Sequence, residues 1–189
     1  MTSDGKLTSE KPLTQLFHSL KIRHWKAAIS HVQKLPYGRN SNRENISLVL
    51  TEQQGTCSSK HALLKQLADE NNIPNVQLVL ALYRMTEANT PGIAPILSQH
   101  ALSHLPEAHC YLKIGGVVVD ITSEETNFKK LQKDLISELL IAPYQVSAFK
   151  IDYHQSYLHT WLASEATHPY SFKELWAIRE LCIQQLTRS

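Results

Sequence analysis

Apolar residues in the first part of the chain recur at helical spacing. Leu13, Leu16, Phe17 and Leu20 mark one amphipathic stretch; Trp25, Ala28, Ile29 and Val32 mark a second. The pattern stops before "LPYGRNSN", whose Pro, Gly and Asn residues signal a loop. A third, short helix is expected from about Glu44 to Gln53, capped by Asn42 or Ser41 and ended by Gly55. The helix that follows, from Cys57, has Ala62, Leu63, Leu64, Leu67 and Ala68 on its buried side and closes at "NNIP", because proline cannot continue it.

The period then changes. "VQLVLALYR", residues 76–84, reads as a buried strand. Residues 86–108 carry three prolines and a glycine, which predicts a long connection with at most one short helix, placed to line or cover a site as it leads into His109. "HCYLKIGGVVVDIT" reads as two strands around a Gly115-Gly116 turn. Helices are expected at about 124–140, 153–163 and 171–187, with "YQVSAFKI" as an added edge strand between the first two. The last helix opens on Ser171 and Glu174, the S-x-x-E capping box. The expected class is α+β, with helices first, a small antiparallel sheet in the middle and helices after.

Composition narrows the function classes. At 189 residues, 42% hydrophobic and 19% charged, the chain reads as one domain with a core of its own and a flexible polar start over residues 1–10. Its 19 Lys and Arg are scattered and nearly balanced by 17 Asp and Glu, so nucleic-acid binding has no electrostatic support. The start "MTSDGKLTSEKPLTQ" lacks an apolar signal core, and no run approaches the roughly 18 apolar residues of a membrane span, which makes a cytoplasmic protein the expectation. Cys57, Cys110 and Cys182 are odd in number and far apart, which suits neither a disulfide framework nor a CxxC metal site. No cofactor is called for, and the oligomeric state is left open.

The hairpin brings chemistry into view. With Gly115-Gly116 as the turn, Ile114 faces Val117, Tyr111 faces Asp120 and His109 faces Thr122. His109 and Asp120 then lie diagonally on one face, roughly 7 to 8 Å apart at the backbone. A carboxylate there would fix the imidazole tautomer and stabilise the imidazolium, leaving the other ring nitrogen to take a proton from a thiol. Cys57, at a helix N-terminus, has unpaired N–H groups and the positive end of the helix dipole to favour its thiolate, and its own N–H is a candidate oxyanion donor. Tyr37, Gln53 and Gln54 are weaker candidates for the second donor. His100 and His104, four residues apart, could join His109 at a metal, but no further ligand type completes such a site and a solvated lid helix is the plainer reading. Cys110 should point away from His109, and Cys182, amid Leu181, Ile183 and Leu186, should pack in a core.

"GTCSSKHALLKQLADENNIPNVQLVLALY" followed by "HCYLKIGGVVVDIT" resembles the transglutaminase-like superfamily, a branch of the papain-like cysteine enzymes. The likeness covers about residues 25–122, and "WKAAISHVQKLPY" fits the helix and tyrosine that often precede the cysteine there. Residues 123–189 would be a helical extension. The resemblance implies Cys57 as nucleophile, His109 as base and Asp120 as orienting acid. It departs from the family at Asp120-Ile121-Thr122, where aspartate-proline-threonine is usual, and at Ser59, where an acidic residue is common. The implied activity is acyl transfer from a peptide, protein or small amide or ester, as a hydrolase first and a transamidase second. The alternative is a catalytically silent module that binds a protein or peptide.

Overall fold

A computed structural model of the chain describes residues 4–164 and 169–186. Its helices are α1 (Pro12–Ser19), α2 (Trp25–Lys34), α3 (Leu48–Thr51), α4 (Cys57–Glu70), α5 (Ala94–Gln99), α6 (Phe128–Gln132), α7 (Ala148–Ser164) and α8 (Phe172–Leu186), with a 3-10 turn at Pro143–Val146. Its strands are β1 (Val76–Met85), β2 (Leu105–Ile114), β3 (Val117–Val119) and β4 (Leu135–Ile141), in the order β3-β2-β1-β4. The class is α+β.

The described residues fall into two compact units. The first takes those up to Leu80 with 110–126 and 139–147; the second takes 81–109, 127–138 and 148 onward. The first is built around α4, where Ala62, Leu63, Leu64, Leu67 and Ala68 are fully buried together with Phe17 of α1 and Trp25, Ala28 and Val32 of α2. Polar residues of α4 are buried as well, including Ser58, Ser59, Lys60, His61 and Glu70, so this is a core helix and not a surface one. Each buried polar group therefore needs a partner. Glu70 finds Thr14, whose N–H and hydroxyl donate to Oε2 at 2.8 and 2.7 Å.

The polar start is tied down from Asp4 onward. Lys6 bridges His24, the Trp25 N–H donates to the Gly5 carbonyl at 2.9 Å, and the Thr8 and Ser9 N–H groups donate to Asn71 Oδ1 at 2.8 and 3.0 Å.

The second unit packs Tyr83, Met85, Ile93, Leu97, Leu105 and Leu131 against Leu158 of α7 and Leu175, Ile178 and Cys182 of α8. Glu107 lies buried beside it, held by Arg179 through bonds of 2.7 and 2.6 Å. The Ser171–Glu174 capping box forms as the sequence predicts, Glu174 Oε2 accepting from the Ser171 N–H at 2.8 Å and Ser171 Oγ from the Glu174 N–H at 3.4 Å.

The hairpin register is the expected one: Leu112 faces Val119, Lys113 faces Val118 and Ile114 faces Val117, with Gly115 and Gly116 at φ 59° and 82°. Positive φ at both turn positions is what a two-residue turn of matching twist requires.

Other elements differ from the sequence reading. The third helix is shorter because Asn45 takes the preceding residues into a turn, its Oδ1 accepting from the Ser47 N–H and its carbonyl from the Leu48 N–H, both at 3.2 Å. Residues 124–140 do not form one helix. They make α6, capped by Asn127 through a bond from the Lys129 N–H at 3.1 Å, and then β4, which lies beside β1. The segment "YQVSAFKI" is the end of the 3-10 turn and the start of α7, not an edge strand. β2 begins four residues before His109, so the connection is shorter than residues 86–108, and it holds one short helix, α5, within the expectation of at most one.

Candidate active site

Cys57 is the first residue of α4. Thr56 caps the helix in an extended conformation: its Oγ1 accepts from the Ser59 N–H at 3.3 Å, and Ser59 Oγ accepts from the Thr56 N–H at 2.9 Å. That reciprocal box is the work Ser59 does in place of an acidic residue. It also leaves the first turn without a carboxylate to oppose a negative charge on Cys57.

Gly55 sets up the turn by its size. A Cβ there would lie 2.9 Å from Lys60 Cγ, 3.0 Å from Ser59 Oγ and 3.1 Å from Val49 Cγ2. The left-handed residue of the approach is Gln53, at φ 55°. Gly55 is paired with the loop after α2: its N–H donates to the Pro36 carbonyl at 3.1 Å, its carbonyl accepts from the Gly38 N–H at 3.3 Å, and Tyr37 bridges it in parallel. The backbone of Tyr37 is thereby fixed alongside the residue two before Cys57. The two glutamines are used locally, Gln53 Nε2 donating to the Leu50 carbonyl and Gln54 Nε2 to the Arg39 carbonyl at 2.9 Å.

Asp120 follows directly on β3, with a side chain only 3% exposed. Its Oδ1 accepts from the N–H and the hydroxyl of Thr122 at 3.1 and 2.6 Å. Two residues that sequence reasoning missed bind this segment to the first turns of α4. Lys60, fully buried, donates from Nζ to the carbonyls of Leu35 and of Thr122, the latter at 2.7 Å. His61, also fully buried, places Nδ1 2.6 Å from the Cys57 carbonyl and Nε2 2.9 Å from the Ile121 nitrogen. Since the Ile121 N–H is a donor, Nε2 acts as acceptor and the ring proton sits on Nδ1. Asp120 Oδ1 lies 3.6 Å from the same Nε2, too far for a hydrogen bond and without a proton between them. Lys60 supplies the local positive charge. Burial pulls its ammonium down to about 8, against the opposing pull of Cys57 and Asp120.

His109 lies on β2 in the second unit, partly exposed, with its ring edge-on to Tyr83 at 6.1 Å between centroids. The other histidines have their own company. His100 Nδ1 lies 3.3 Å from Tyr170 Oη, and His104 lies against Trp161 with ring centroids 5.5 Å apart. Among the described residues no three His, Cys, Asp or Glu side chains are grouped to hold a metal. No described helix is long and apolar enough to cross a membrane.

Spacing alone carried no signal for Lys60 or His61, since a lysine and a histidine inside a helix usually face water. The only hint is their position, three and four residues after Cys57, one turn along the same face. No family model matches the chain, and no curated protein or solved structure matches it.

Proposed function

We propose that the chain is a thiol enzyme of acyl transfer with a transglutaminase-like core. Cys57 is the nucleophile, His109 the base and Asp120 the group that orients it. One observation carries the reading: the segment containing Asp120 is bonded through Lys60 and His61 to the first turns of the helix that Cys57 begins. The hairpin register also supports it, because the three observed pairs are those that put Asp120 in line with Tyr111, two residues along β2 from His109.

In this mechanism His109 takes the thiol proton and the Cys57 sulfur attacks the carbonyl carbon of an amide or ester. The oxyanion is met by the Cys57 N–H at the helix start. Tyr37, whose backbone is fixed beside Gly55, is the candidate for the second donor. The tetrahedral intermediate collapses to a thioester as the C–N or C–O bond breaks and His109 returns the proton to the leaving amine or alcohol. Water then attacks the thioester, His109 takes its proton, and the acid and the thiol are released. An amine in place of water gives transamidation; hydrolysis is the first reading and transamidation the second. Substrates are peptides, proteins or small amides and esters.

A second reading, a silent module that binds a protein or peptide, draws on the burial of Cys57, which is only 6% exposed. Iodoacetamide separates the two. The enzyme reading expects one cysteine, Cys57, to be alkylated near neutral pH faster than cysteine in solution, with His109→Ala slowing it. Alkylation of Cys57 no faster than in the unfolded chain would leave the binding module.

A further inference from the structure

Lys60 is the least expected residue of the first unit. A lysine is almost never fully buried unless paired, yet its partners are two backbone carbonyls and not a carboxylate. Those carbonyls are well placed. Leu35 ends α2 two residues before Tyr37, and Thr122 donates to Asp120 through both its N–H and its hydroxyl. The side chain therefore spans three pieces of chain: the helix that begins at Cys57, the loop that carries Tyr37 and the segment that carries Asp120.

We propose that Lys60 is the positioning residue of this site, its buried ammonium serving as the fixed positive charge around which the Cys57 sulfur and the Asp120 carboxylate are arranged. Carbonyl partners orient an ammonium without neutralising it. Its charge therefore remains available to the thiolate and the carboxylate, at low local dielectric where a charge acts over a longer range than in water. Lys60 stands three residues after Cys57, on the same side of the helix. The charges that act on it are those of Cys57, from α4, and Asp120, from the segment after β3, and His61 follows it in the helix. His61 is committed to the Cys57 carbonyl and the Ile121 N–H with its ring proton on Nδ1, so of these two neighbouring α4 residues it is Lys60 that brings a positive charge. Burial pulls the ammonium down toward neutrality and both anions pull it back. Lys60 makes and breaks no bond, and acts through the groups it holds.

This inference rests on Cys57 being the reactive thiol, but not on acyl chemistry, and the test keeps the two apart. The rate of Cys57 alkylation by iodoacetamide is followed against pH, by peptide mapping of the full chain, for the wild type and for Lys60→Met. Met keeps the apolar stem and removes the charge. Near-UV circular dichroism reports whether the variant retains native packing. The expected result is a profile displaced upward by about one pH unit, which makes alkylation at pH 7 about tenfold slower. An unchanged profile in a folded Lys60→Met overturns the proposal, whether or not the wild type forms acyl adducts.

A second measurement needs no variant. Lysine side-chain carbon resonances are titrated in the wild type before and after Cys57 is capped as a neutral methyl disulfide with methyl methanethiosulfonate. Coupling is reciprocal, so loss of the thiolate charge must lower the Lys60 midpoint. A midpoint that stays in place contradicts the proposal even if Lys60→Met fails to fold.

Discussion

The backbone N–H of Ile121 donates to Nε2 of His61 at 2.9 Å, while Nδ1 of the same ring lies 2.6 Å from the Cys57 carbonyl. A fully buried imidazole thus fastens the residue after Asp120 to the start of α4. In His61→Leu that buried N–H loses its acceptor and the new side chain fills the site imperfectly. The expected cost is about 2 to 4 kcal/mol in urea unfolding. Hydrogen exchange localises it: Ile121 should lose protection while the β2 amides keep theirs.

Gly55 and Gly38 provide a paired test of what crowding near Cys57 costs. At Gly55 a Cβ would press on the Lys60 stem, Ser59 Oγ and Val49 at 2.9 to 3.1 Å, and all three are buried. Gly55→Ala should lose about 1 to 3 kcal/mol. At Gly38 the nearest atoms, from 2.7 Å, belong to the end of the Gln54 side chain, which can swing aside. Gly38→Ala should lie within about 0.5 kcal/mol of wild type. Thermal melts of the two variants side by side give the comparison, and equal destabilisation would contradict the steric assignment.

Lys60 gives alkaline pH a distinct effect. Its ordinary value of 10.5 falls to about 8 on folding, through burial, with Cys57 and Asp120 acting the other way. Between those values the unfolded chain holds a proton that the folded one has released. Stability should therefore rise with pH over that window, and the burial of the charge is a net penalty below it. Unfolding free energies from pH 7 to 10.5 should show this rise in the wild type relative to Lys60→Met. Parallel curves would mean that Lys60 keeps its ordinary value.

The Glu107–Arg179 pair acts at the acid end. Burial alone would push the Glu107 carboxyl up, but the Arg179 guanidinium, with smaller help from His154 and Lys150, holds it down at about 2. Its contribution is fully present above the ordinary value of 4.5 and is lost as pH falls through about 2, because there the unfolded carboxylate has already taken its proton. Glu107→Gln leaves a largely buried guanidinium with Glu180, bonded at 2.6 Å, as its remaining carboxylate partner, and should cost about 2 to 4 kcal/mol at pH 7. The slope of stability between pH 4.5 and 2 should flatten in the same variant. Urea unfolding at several pH values checks both.

The parts of this molecule that were legible in the sequence are those fixed by local pattern. The apolar spacing of α1, α2 and α4, the proline after α4, the glycine pair of the hairpin and the Ser171–Glu174 box each act within a few residues. What was hidden depends on distant partners. Residues 131–140 place Leu131, Leu135, Leu139 and Leu140 at helical spacing, yet Leu135–Ile141 becomes a strand because it lies beside β1, a context that overrides propensity. Glu107 and Arg179 meet across 72 residues, and Lys60 reaches Thr122 across 62. For the candidate site, Cys57 was visible as the start of a helix and Asp120 as the end of a hairpin strand. The Lys60 and His61 tethers were not, because a polar residue's burial is set by backbone groups that no periodicity reveals.

The thiol reading meets its most direct test in trapping the acyl intermediate. The full chain is treated with a series of activated esters and amides, and acylated peptides are identified by mass spectrometry in the wild type and in Cys57→Ser, His109→Ala and Asp120→Asn. One thioester on Cys57 is expected, absent in Cys57→Ser and formed about 10² to 10⁴ times more slowly in the other two variants. Cys110→Ser and Cys182→Ala should behave as wild type. No adduct on Cys57 with any acyl donor, or an adduct whose rate ignores both His109 and Asp120, would contradict it.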